Sequence, residues 1–368
     1  MDDARLTALT ETIDGGGSVT LDDAGWLFRE APDAALRDLA SRVRRRYHPD
    51  GRATYLVMAI VNTTNVCVAR CDYCSFYRLP KHPDTYLLTA DQICARIDAL
   101  RVLGGTMVGF NGGFHPKLRI PDYARLFAEV RARNPDLAFY EMTVAEFVYA
   151  CKVSRMTYAE GAAILADHGT QWVTGGGARV MAESFRARHS PLKYTVAEYY
   201  VAQRAILEAG LGSTATMVIG FDETLEERLE HLAGLRAFQR SVGGALPSFL
   251  CWTYKPYHNA LGGTEIGTDE YLRWLAVCRI FLDGIEHVRT SVLTQNERAL
   301  EGLLYGADDF DLPTEDEVTT SAGATIHHDF ERILGHARRL GIEPVKRAPF
   351  PVPARIRPLS GGEPQPGL

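Results

Sequence analysis

The sequence predicts an α/β fold made of repeated strand–helix units, and three observations support this prediction. From residue 55 onward, short β-branched or apolar runs alternate with longer amphipathic segments, the pattern of βα units around a parallel sheet. Seven such units follow one another at even spacing. The 368 residues, 46% of them hydrophobic, can bury one large core. We therefore expect a (β/α)8 barrel of the TIM type, with a doubly wound sheet as the competing arrangement.

The first part of the chain, residues 1–50, has helical signals and no strand signal. Helices are predicted at 2–13 and 33–46, and a third is predicted to start after Thr20, which has the side chain of an N-cap. Three consecutive glycines, Gly15 to Gly17, separate the first two helices. This segment is predicted to be a small N-terminal helical cap.

Two further boundaries follow from composition. The barrel is predicted to span residues 51–345. Residues 346–368 are rich in Pro and Gly, and we expect a tail that either packs loosely or crosses the barrel. We assign no chemical role to this tail.

Seven strands are predicted from runs of β-branched and aromatic residues between turn residues. They lie at 55–62, 106–111, 137–142, 171–175, 213–219, 248–253 and 287–293. A short eighth unit near 317–321 would nearly complete a barrel. A segment with helical periodicity follows each strand. These helices are predicted at 90–103, 122–133, 158–168, 196–209, 225–242, 269–282 and 295–305.

The most informative motif, Cys67-Val-Ala-Arg-Cys71-Asp-Tyr-Cys74, comes directly after the first predicted strand. Three thiolates at C-x3-C-x2-C spacing can bind three irons of a 4Fe-4S cluster and leave the fourth iron open to a small molecule. The carboxyl end of a barrel strand is also where active sites form. A zinc site with His82 as fourth ligand is the alternative, although no second ligand pair follows at a fitting distance. A chance group of three free thiols is the remaining alternative.

Composition limits the possible partners and location. The other four cysteines stand singly in apolar or helical segments, where a cysteine is usually a buried hydrophobic residue; they are Cys94, Cys151, Cys251 and Cys278. Seven cysteines without a disulfide-like framework indicate a reducing compartment. There is no signal-peptide pattern and no apolar window of membrane length, so we expect a cytoplasmic protein without a membrane partner. The net charge of −6 argues against nucleic acid as the main partner.

The cysteine spacing, with the aromatic Tyr73 directly before Cys74, resembles the signature of the radical S-adenosylmethionine enzymes. This resemblance implies a 4Fe-4S cluster bound by the three cysteines. S-adenosylmethionine would bind the open iron and would be cleaved to a 5′-deoxyadenosyl radical. The resemblance also implies a small-molecule substrate and a reduced flavodoxin or ferredoxin as electron donor. Tyr73 is expected near the adenine.

Motifs in the same order over residues 1–345 resemble the subgroup that acts on futalosine and deazaflavin precursors, above all the dehypoxanthine futalosine cyclases of menaquinone biosynthesis. These motifs are Thr63-Thr-Asn-Val-Cys67, Cys74-Ser-Phe-Tyr-Arg78, Gly112-Gly-Phe-His-Pro116, Gly175-Gly-Gly-Ala178, Thr214-Ala-Thr-Met217, Thr253-Tyr-Lys-Pro256, Tyr305-Gly-Ala-Asp-Asp309 and Ser321-Ala-Gly323. Such cyclases take hydrogen from the ribose C4′ of the substrate. The sugar radical adds to the attached benzoate ring, and loss of an electron and a proton gives the cyclic product.

The resemblance implies roles for further residues. Cofactor contacts are expected from Gly112, Gly113, Thr216 and Met217. Glu146 matches a family acid that either binds substrate hydroxyls or caps the following helix. His115 and His258 are candidate general bases for the departing proton. The candidates for binding the substrate are Arg78, Tyr254, Lys255 and Arg289.

Several positions differ from the cyclase pattern. Arg179 replaces a family Glu, and Glu141 replaces a small hydroxyl residue. We expect these two side chains to pair across neighbouring strand ends beside the cofactor, with a solvent-facing Arg179 as the alternative. The gain of Lys255 and Arg179 suits an anionic substrate. Further differences are Phe114, Trp252, Tyr257, His258 and Val292.

Three interpretations of function remain open at this point. The first is a radical enzyme that cyclises dehypoxanthine futalosine. The second is a paralogue with the same initiation chemistry and another anionic or nucleoside-like substrate. The third is a non-enzymatic iron–sulfur or zinc protein.

Overall fold

The architecture is a ring of parallel strands surrounded by helices, seen in a computed structural model that describes residues 2–352 and 355–356. The strands are β1 Ala53–Asn62, β2 Met107–Asn111, β3 Ala138–Tyr140, β4 Met142–Thr143, β5 Val173–Thr174, β6 Ala215–Ile219, β7 Ser248–Thr253, β8 His287–Thr290, β9 Asp309–Asp316 and β10 Pro344–Lys346. The main sheet has the order β3-β2-β1-β9-β8-β7-β6, and every pair in it is parallel.

The two edges of this sheet are joined by the short pair β4 and β5. Strands β3 and β4 form one strand interrupted at Glu141, whose backbone N–H donates to the Trp172 carbonyl at 3.1 Å. On the other side, the N–H of Val173 donates to the carbonyl of Gly212 at 2.9 Å, just before β6. Eight strand positions therefore form a nearly closed ring, which confirms the predicted (β/α)8 barrel of the TIM type.

Helices cover the outside of the ring. They are α1 Asp2–Asp14, α2 Leu21–Arg29, α3 Asp33–Arg45, α4 Ala90–Val102, α5 Ile120–Arg133, α6 Val144–Ser154, α7 Tyr158–Asp167, α8 Glu183–His189, α9 Val196–Glu208, α10 Leu225–Ser241, α11 Thr268–Phe281, α12 Val292–Gln295, α13 Glu317–Thr320 and α14 Phe330–Arg339. A 3-10 helix covers Asn296–Tyr305. None of the helices in the described ranges is long and apolar enough to cross a bilayer.

Threonine capping explains where six of these helices begin. In each, the threonine hydroxyl accepts from the backbone N–H three residues on, and the side chain at that position bonds back to the threonine N–H. The six capping residues are Thr20, Thr89, Thr143, Thr157, Thr195 and Thr224. The predicted N-cap at Thr20 is confirmed.

The predicted eighth strand at 317–321 is wrong. The strand is β9, and the segment after it is the short helix α13. Strand β9 has the sequence Asp-Phe-Asp-Leu-Pro-Thr-Glu-Asp, whose charged side chains and proline hide its strand pattern. The predicted strand 287–293 also ends early, because Ser291 caps α12.

The N-terminal helices pack on the outer helices of the barrel. Arg273 on α11 donates to the carbonyls of Leu27, Phe28 and Ala31 at 3.2, 2.9 and 2.9 Å. The ring of Phe28 meets that of Trp274 edge to face at 5.5 Å. The cap therefore supports the helical layer on one side of the barrel.

The chain after β10 crosses the amino ends of the strands. Strand β10 pairs with the start of β1, and Arg347 then binds Asp309 through two hydrogen bonds of 2.8 Å. Phe350 is buried and stacks on His287 at 4.7 Å. It belongs to an apolar cluster with Leu56, Met58, Met107, Tyr140 and Trp172. Of the two predicted arrangements for the tail, its first residues adopt the crossing one.

Candidate active site

A cavity of about 240 Å³ runs through the interior of the barrel. It reaches from the loops after the strands, where Cys67, Cys71 and Cys74 line it, to side chains near the strand starts such as Ser248. The cysteine loop thus lies at the end of the barrel where the βα loops gather, as predicted. The four other cysteines are buried, as also predicted.

The cysteine loop is fixed by backbone hydrogen bonds. The N–H of Cys67 donates to the carbonyl of Arg78 at 3.0 Å, and that of Val68 to Phe114 at 3.2 Å. The guanidinium of Arg78 donates to three carbonyls of the loop, those of Ser75, Phe76 and Tyr77, at 3.1, 3.3 and 3.0 Å. Arg78 lies outside the cavity lining, and its role in substrate binding stays a prediction. Its observed contacts stabilise the loop.

Two glycines let the chain pass close to this loop. A Cβ at Gly113 would lie 2.2 Å from the carbonyl oxygen of Val66 and 2.8 Å from the Cβ of Cys67. A Cβ at Gly112 would lie 2.7 Å from the hydroxyl oxygen of Thr63. Both glycines line the cavity. A side chain at position 113 would therefore displace the cysteine loop.

The arrangement of the thiols fits an iron–sulfur cluster better than zinc. In the described part of the chain, the sulfurs of Cys67, Cys71 and Cys74 do not form a group within 4.8 Å, as the ligands of one zinc ion would. His82, the predicted alternative ligand, is exposed and accepts a hydrogen bond from the N–H of Asp84 at 3.2 Å. Burial raises the pKa of Cys67 to about 11 and also raises that of Cys74, so a bound cation would be needed to hold the thiolates.

Asp72 ties the cysteine loop to two other loops. Its carbonyl accepts from the N–H groups of Ala260 and Leu261 at 2.8 and 3.0 Å. Its carboxylate contacts Nδ1 of His189 at 3.0 Å, and Nε2 of His189 contacts Asp222 at 2.7 Å. The sequence shows an ordinary loop aspartate here, because these partners are distant along the chain.

Tyr73 and Arg179 form one wall of the cavity. The ring of Tyr73 stacks on Phe185 at 6.3 Å, and the guanidinium of Arg179 lies 5.8 Å from the Tyr73 ring centre. Arg179 has a positive φ of 58°, in the left-handed region that is uncommon for residues other than glycine. Its side chain lines the cavity, so the solvent-facing alternative is wrong.

The predicted pair between Glu141 and Arg179 is wrong as well. Glu141 interrupts the strand and binds Arg131 of α5 at 2.6 Å. It also accepts from the N–H groups of Gln171 and Trp172, each at 3.3 Å. These partners and Glu141 itself lie outside the cavity lining, and the contact of Glu141 with a cofactor stays a prediction. Burial raises the pKa of Glu141 to about 7 in spite of Arg131.

An acid that the sequence analysis missed lies near Arg179. Asp316, at the end of β9, is buried and lines the cavity. Burial raises its pKa to about 6, while hydrogen bonds from Thr319 and Val318 and the charge of Arg179 act in the opposite direction. Because the eighth strand was predicted too late in the chain, Asp316 was not recognised as a residue at a strand end. The sequence does contain one signal for it, since an acid three residues before Thr319 has the spacing of a helix N-cap.

Glu146 takes part in capping helix α6, which is one of the two roles predicted for it, and binding of substrate hydroxyls stays a prediction. It lies in the first turn of α6, where Oε2 accepts from the N–H and the hydroxyl of Thr143 at 3.2 and 2.6 Å. It also lines the cavity beside Gly112. Burial raises its pKa to about 8.

Neither histidine that was predicted as a general base reaches the cavity. His115 is half-buried, and its Nδ1 accepts from the N–H of Lys117 at 3.2 Å. Burial and the charge of Lys117 lower the pKa of His115. His258 is exposed in a loop at φ 60°. Neither side chain is part of the cavity lining, and a role as general base stays a prediction for each.

On β6 the two predicted cofactor residues point in opposite directions. Thr216 lines the cavity and donates to the carbonyl of Gly175 at 2.6 Å, which fastens β6 to the chain after β5. Met217 is fully buried on the other face of the strand. The two side chains differ in this way because neighbouring residues of a strand point to opposite faces, and a contact of Met217 with the cofactor stays a prediction.

The three other predicted substrate residues do line the cavity, and each has a protein partner. Lys255 forms an ion pair with Glu265. The hydroxyl of Tyr254 donates to the side-chain oxygen of Asn259 at 2.6 Å. Arg289 binds Asp309 at 2.8 Å and also binds Asp311. A half-buried cation that was not predicted, Lys193, also lines the cavity and donates to the Gly177 carbonyl at 2.9 Å.

Comparison with known proteins identifies the family. The model of the radical SAM superfamily matches residues 61–234, and that of the CofH/MqnC C-terminal region matches residues 246–350. Cyclic dehypoxanthine futalosine synthase of Streptomyces coelicolor is 33% identical, over 94% of this chain and 88% of that protein. This chain is a radical SAM enzyme of the futalosine synthase family. The enzyme therefore uses a 4Fe-4S cluster and S-adenosylmethionine, which excludes the non-enzymatic interpretation.

Two further similarities show how far the comparison reaches. Aminodeoxyfutalosine synthase of Thermus thermophilus is 30% identical to the enzyme, over 93% of this chain and 94% of that protein. The crystal structure of methylornithine synthase (PylB) superposes with a TM-score of 0.68 at 16% identity, covering 92% of this chain and 97% of that one. The second similarity concerns the fold alone.

Proposed function

We propose that the enzyme cyclises dehypoxanthine futalosine in menaquinone biosynthesis, by abstracting hydrogen from the sugar of this substrate. The observation that carries the radical chemistry is the set of three cysteine thiols facing an interior cavity of the barrel. The similarity of 33% over nearly the full chain supports this substrate over others.

The chain offers a consistent set of groups for the two cofactors. Cys67, Cys71 and Cys74 would hold the cluster, because they face the cavity together and the zinc alternative fits poorly. Cluster and S-adenosylmethionine together supply a 5′-deoxyadenosyl radical. Gly112 and Gly113 line the same cavity, and their missing side chains let the cysteine loop pack directly against this stretch of backbone.

The acids of the cavity can handle the proton that the substrate loses. Asp316 has a pKa of about 6, so it is mostly ionised at neutral pH and can accept a proton. Glu146 has a pKa of about 8, so it is mostly protonated and can donate a hydrogen bond to a substrate hydroxyl. We therefore assign the general base to Asp316 in place of the two histidines.

The electron for each cleavage would come from a reduced flavodoxin or ferredoxin. A 4Fe-4S cluster of this kind works at low potential, which small iron–sulfur or flavin proteins can reach.

A second candidate is a paralogue with another anionic substrate. The observation that favours it is Arg179, a cation that faces the cavity where the cyclase pattern has an acid. Lys193 adds another cation to the cavity lining.

Anaerobic reconstitution followed by product analysis tests the proposal. The reduced enzyme should cleave S-adenosylmethionine to 5′-deoxyadenosine and convert synthetic dehypoxanthine futalosine to the cyclic product. The Cys71→Ala variant should lose both reactions, whereas the control Cys94→Ala should keep them. Formation of 5′-deoxyadenosine without any cyclic product would reject the cyclase and favour the paralogue.

A further inference from the structure

Besides the hydroxyls of Tyr73 and Ser75 in the cysteine loop, two buried hydroxyl groups line the cavity and have no hydrogen-bond partner within the described residues. They belong to Tyr140, which is 6% exposed, and Ser248, which is 1% exposed. Most buried polar groups in proteins are paired, so an unpaired hydroxyl facing a cavity points to a ligand that completes it. Neither residue was singled out by the sequence.

Both hydroxyls lie toward the strand starts, away from the cysteine loop. Ser248 is the first residue of β7. The Tyr140 hydroxyl is close enough to Arg289 and Asp311 for their charges to act on its pKa, and these two residues also line the cavity. We call Tyr140, Ser248, Arg289 and Asp311 the floor subsite.

The charges around the floor subsite cancel. Arg289 binds Asp309 and Asp311, and Arg347 binds Asp309. Two guanidinium groups thus face two carboxylates. A bound anion would be repelled by Asp311, and a bound cation would be repelled by Arg289. Little water is present at this depth to screen either repulsion.

The walls around the floor subsite are apolar. Met58, Ile60 and Leu250 line the same cavity, and Phe350 and Trp172 pack behind Met58 and Tyr140. Burial raises the pKa of Tyr140 to about 12, so its phenol keeps its proton and can donate a hydrogen bond. A flat ring with a carbonyl at its edge would match apolar walls and two free hydroxyl donors.

We propose that the floor subsite binds an uncharged carbonyl group of the substrate, and that it rejects a carboxylate. This inference rests on the proposed function only in treating the cavity as the substrate site. It places the substrate's carboxylate elsewhere, toward Arg179 and Lys193, and it leaves Arg289 without a role in binding that carboxylate.

A pair of probes with one shape and different charge tests this proposal. Benzamide and benzoate are titrated anaerobically into the holoenzyme at pH 7.5, and binding is followed by ligand-observed NMR. At the site whose benzamide binding Tyr140→Phe and Ser248→Ala weaken, benzamide should bind at least 10-fold more tightly than benzoate, whereas benzoate bound near Arg179 and Lys193 should be insensitive to both variants. Equal or tighter binding of benzoate at the floor subsite, or no binding of benzamide, would overturn the proposal.

Variants locate the binding. Tyr140→Phe and Ser248→Ala should each weaken benzamide binding by about 5- to 10-fold. The control Thr170→Val removes a buried hydroxyl that also lacks a partner among the described residues but lies outside the cavity lining. It should leave benzamide binding unchanged. If all three variants behave alike, the floor subsite is not where benzamide binds.

The unfolding temperature distinguishes a ligand-binding role of the two hydroxyls from a structural role. Because neither hydroxyl has a protein partner in the described chain, Tyr140→Phe and Ser248→Ala should not lower the unfolding temperature. A clear drop would show that these hydroxyls serve folding and would overturn the proposal. The probes require no turnover, so a failed cyclase assay and a failed benzamide titration are separate results.

Discussion

Gly113 shows how much of the site depends on a single missing side chain. The Val66 carbonyl and the Cys67 Cβ occupy the space that a Cβ at position 113 would need. Both contacts involve the backbone or first side-chain atom of the cysteine loop, which cannot rotate away. The position of the first cluster ligand is therefore coupled to the identity of residue 113.

We expect Gly113→Ala to lose most of the bound iron, because the cysteine loop has to move. Iron per protein and the visible absorbance of the cluster after anaerobic reconstitution measure this. Gly284→Ala is the control, since a Cβ there meets nothing within 4 Å and the residue has no positive φ. Full cluster loading of Gly113→Ala would show that the loop tolerates the shift.

Glu146 should make the enzyme less stable as the pH rises, which is the opposite of the usual effect of a carboxyl group. Its pKa rises from 4.5 to about 8 on folding, so the folded state keeps a proton that the unfolded state releases in this range. Stability from this group is therefore lost as pH rises from about 5 to 8. We expect Glu146→Gln to raise the unfolding temperature relative to wild type increasingly between pH 6 and pH 9.

Glu160 provides a matched control with the opposite sign. It occupies the same capping position in α7, but it is exposed and hydrogen bonds from Thr157 lower its pKa. Glu160→Gln should therefore lower the unfolding temperature at every pH above about 4.5. A falling difference for Glu146→Gln between pH 6 and pH 9 would contradict the raised pKa.

At the scale of secondary-structure elements, the capping residues of helix α6 are also residues of the active-site cavity. Thr143 ends β4, caps α6 and lines the cavity, and Glu146 is its capping partner. The helix start thus places a carboxyl group in the cavity by the same hydrogen bonds that begin the helix. The equivalent pair Thr157 and Glu160 begins α7 on the surface.

We expect Thr143→Ala and Thr157→Ala each to cost about 1 kcal/mol of stability through the lost cap. Only Thr143→Ala should also raise the pKa of Glu146, because the hydrogen bond that is lost, from the Thr143 hydroxyl, favours its charged form. Urea denaturation measures the first effect, and the pH dependence of the unfolding temperature measures the second. An unchanged pH profile in Thr143→Ala would show that the cap does not tune this acid.

The elements also show what sequence reasoning can and cannot find. Predicted helices in the barrel begin and end within two residues of those observed, because Thr caps and apolar periodicity are local signals. Strand β9 was missed because its inward side chains Asp309 and Asp311 bind Arg289, a partner about 20 residues away. The helices α6, α8 and α14 were also missed, and 295–305 is a 3-10 helix.

The residues of the candidate site also divide into those with a local sequence signal and those without one. The three cysteines and two glycines were found because their spacing is local. Which way Met217, His115 or Glu141 points depends on strand phase and loop path, which a motif does not carry. Asp316, Tyr140 and Ser248 matter because strands from distant parts of the chain bring them to one cavity.

At the scale of the whole molecule, the segment after β10 closes the barrel from below. Arg347 completes the ion pairs of Asp309, and Phe350 fills the space below Tyr140 and Met58. Arg347 and Phe350 therefore cover this end of the barrel.

We expect Phe350→Ala to destabilise the enzyme by about 3 kcal/mol and to weaken benzamide binding, because it opens the floor to water. The unfolding temperature and the NMR titration measure the two effects. Val352→Ala is the control, since Val352 is 37% exposed. Equal results for the two variants would show that the segment does not close the floor.

The pairing of β1 with strands from the end of the chain has a consequence for folding during translation. Thr54 on β1 binds Asp309 on β9, 255 residues later in the chain, and β1 also pairs with β10. At a translation rate of about 5–20 residues per second, β1 waits roughly 10–50 s for these partners. During that time an apolar strand has open edges, so a nascent-chain chaperone should bind ribosome-held fragments that end before β9 and release those that include β10.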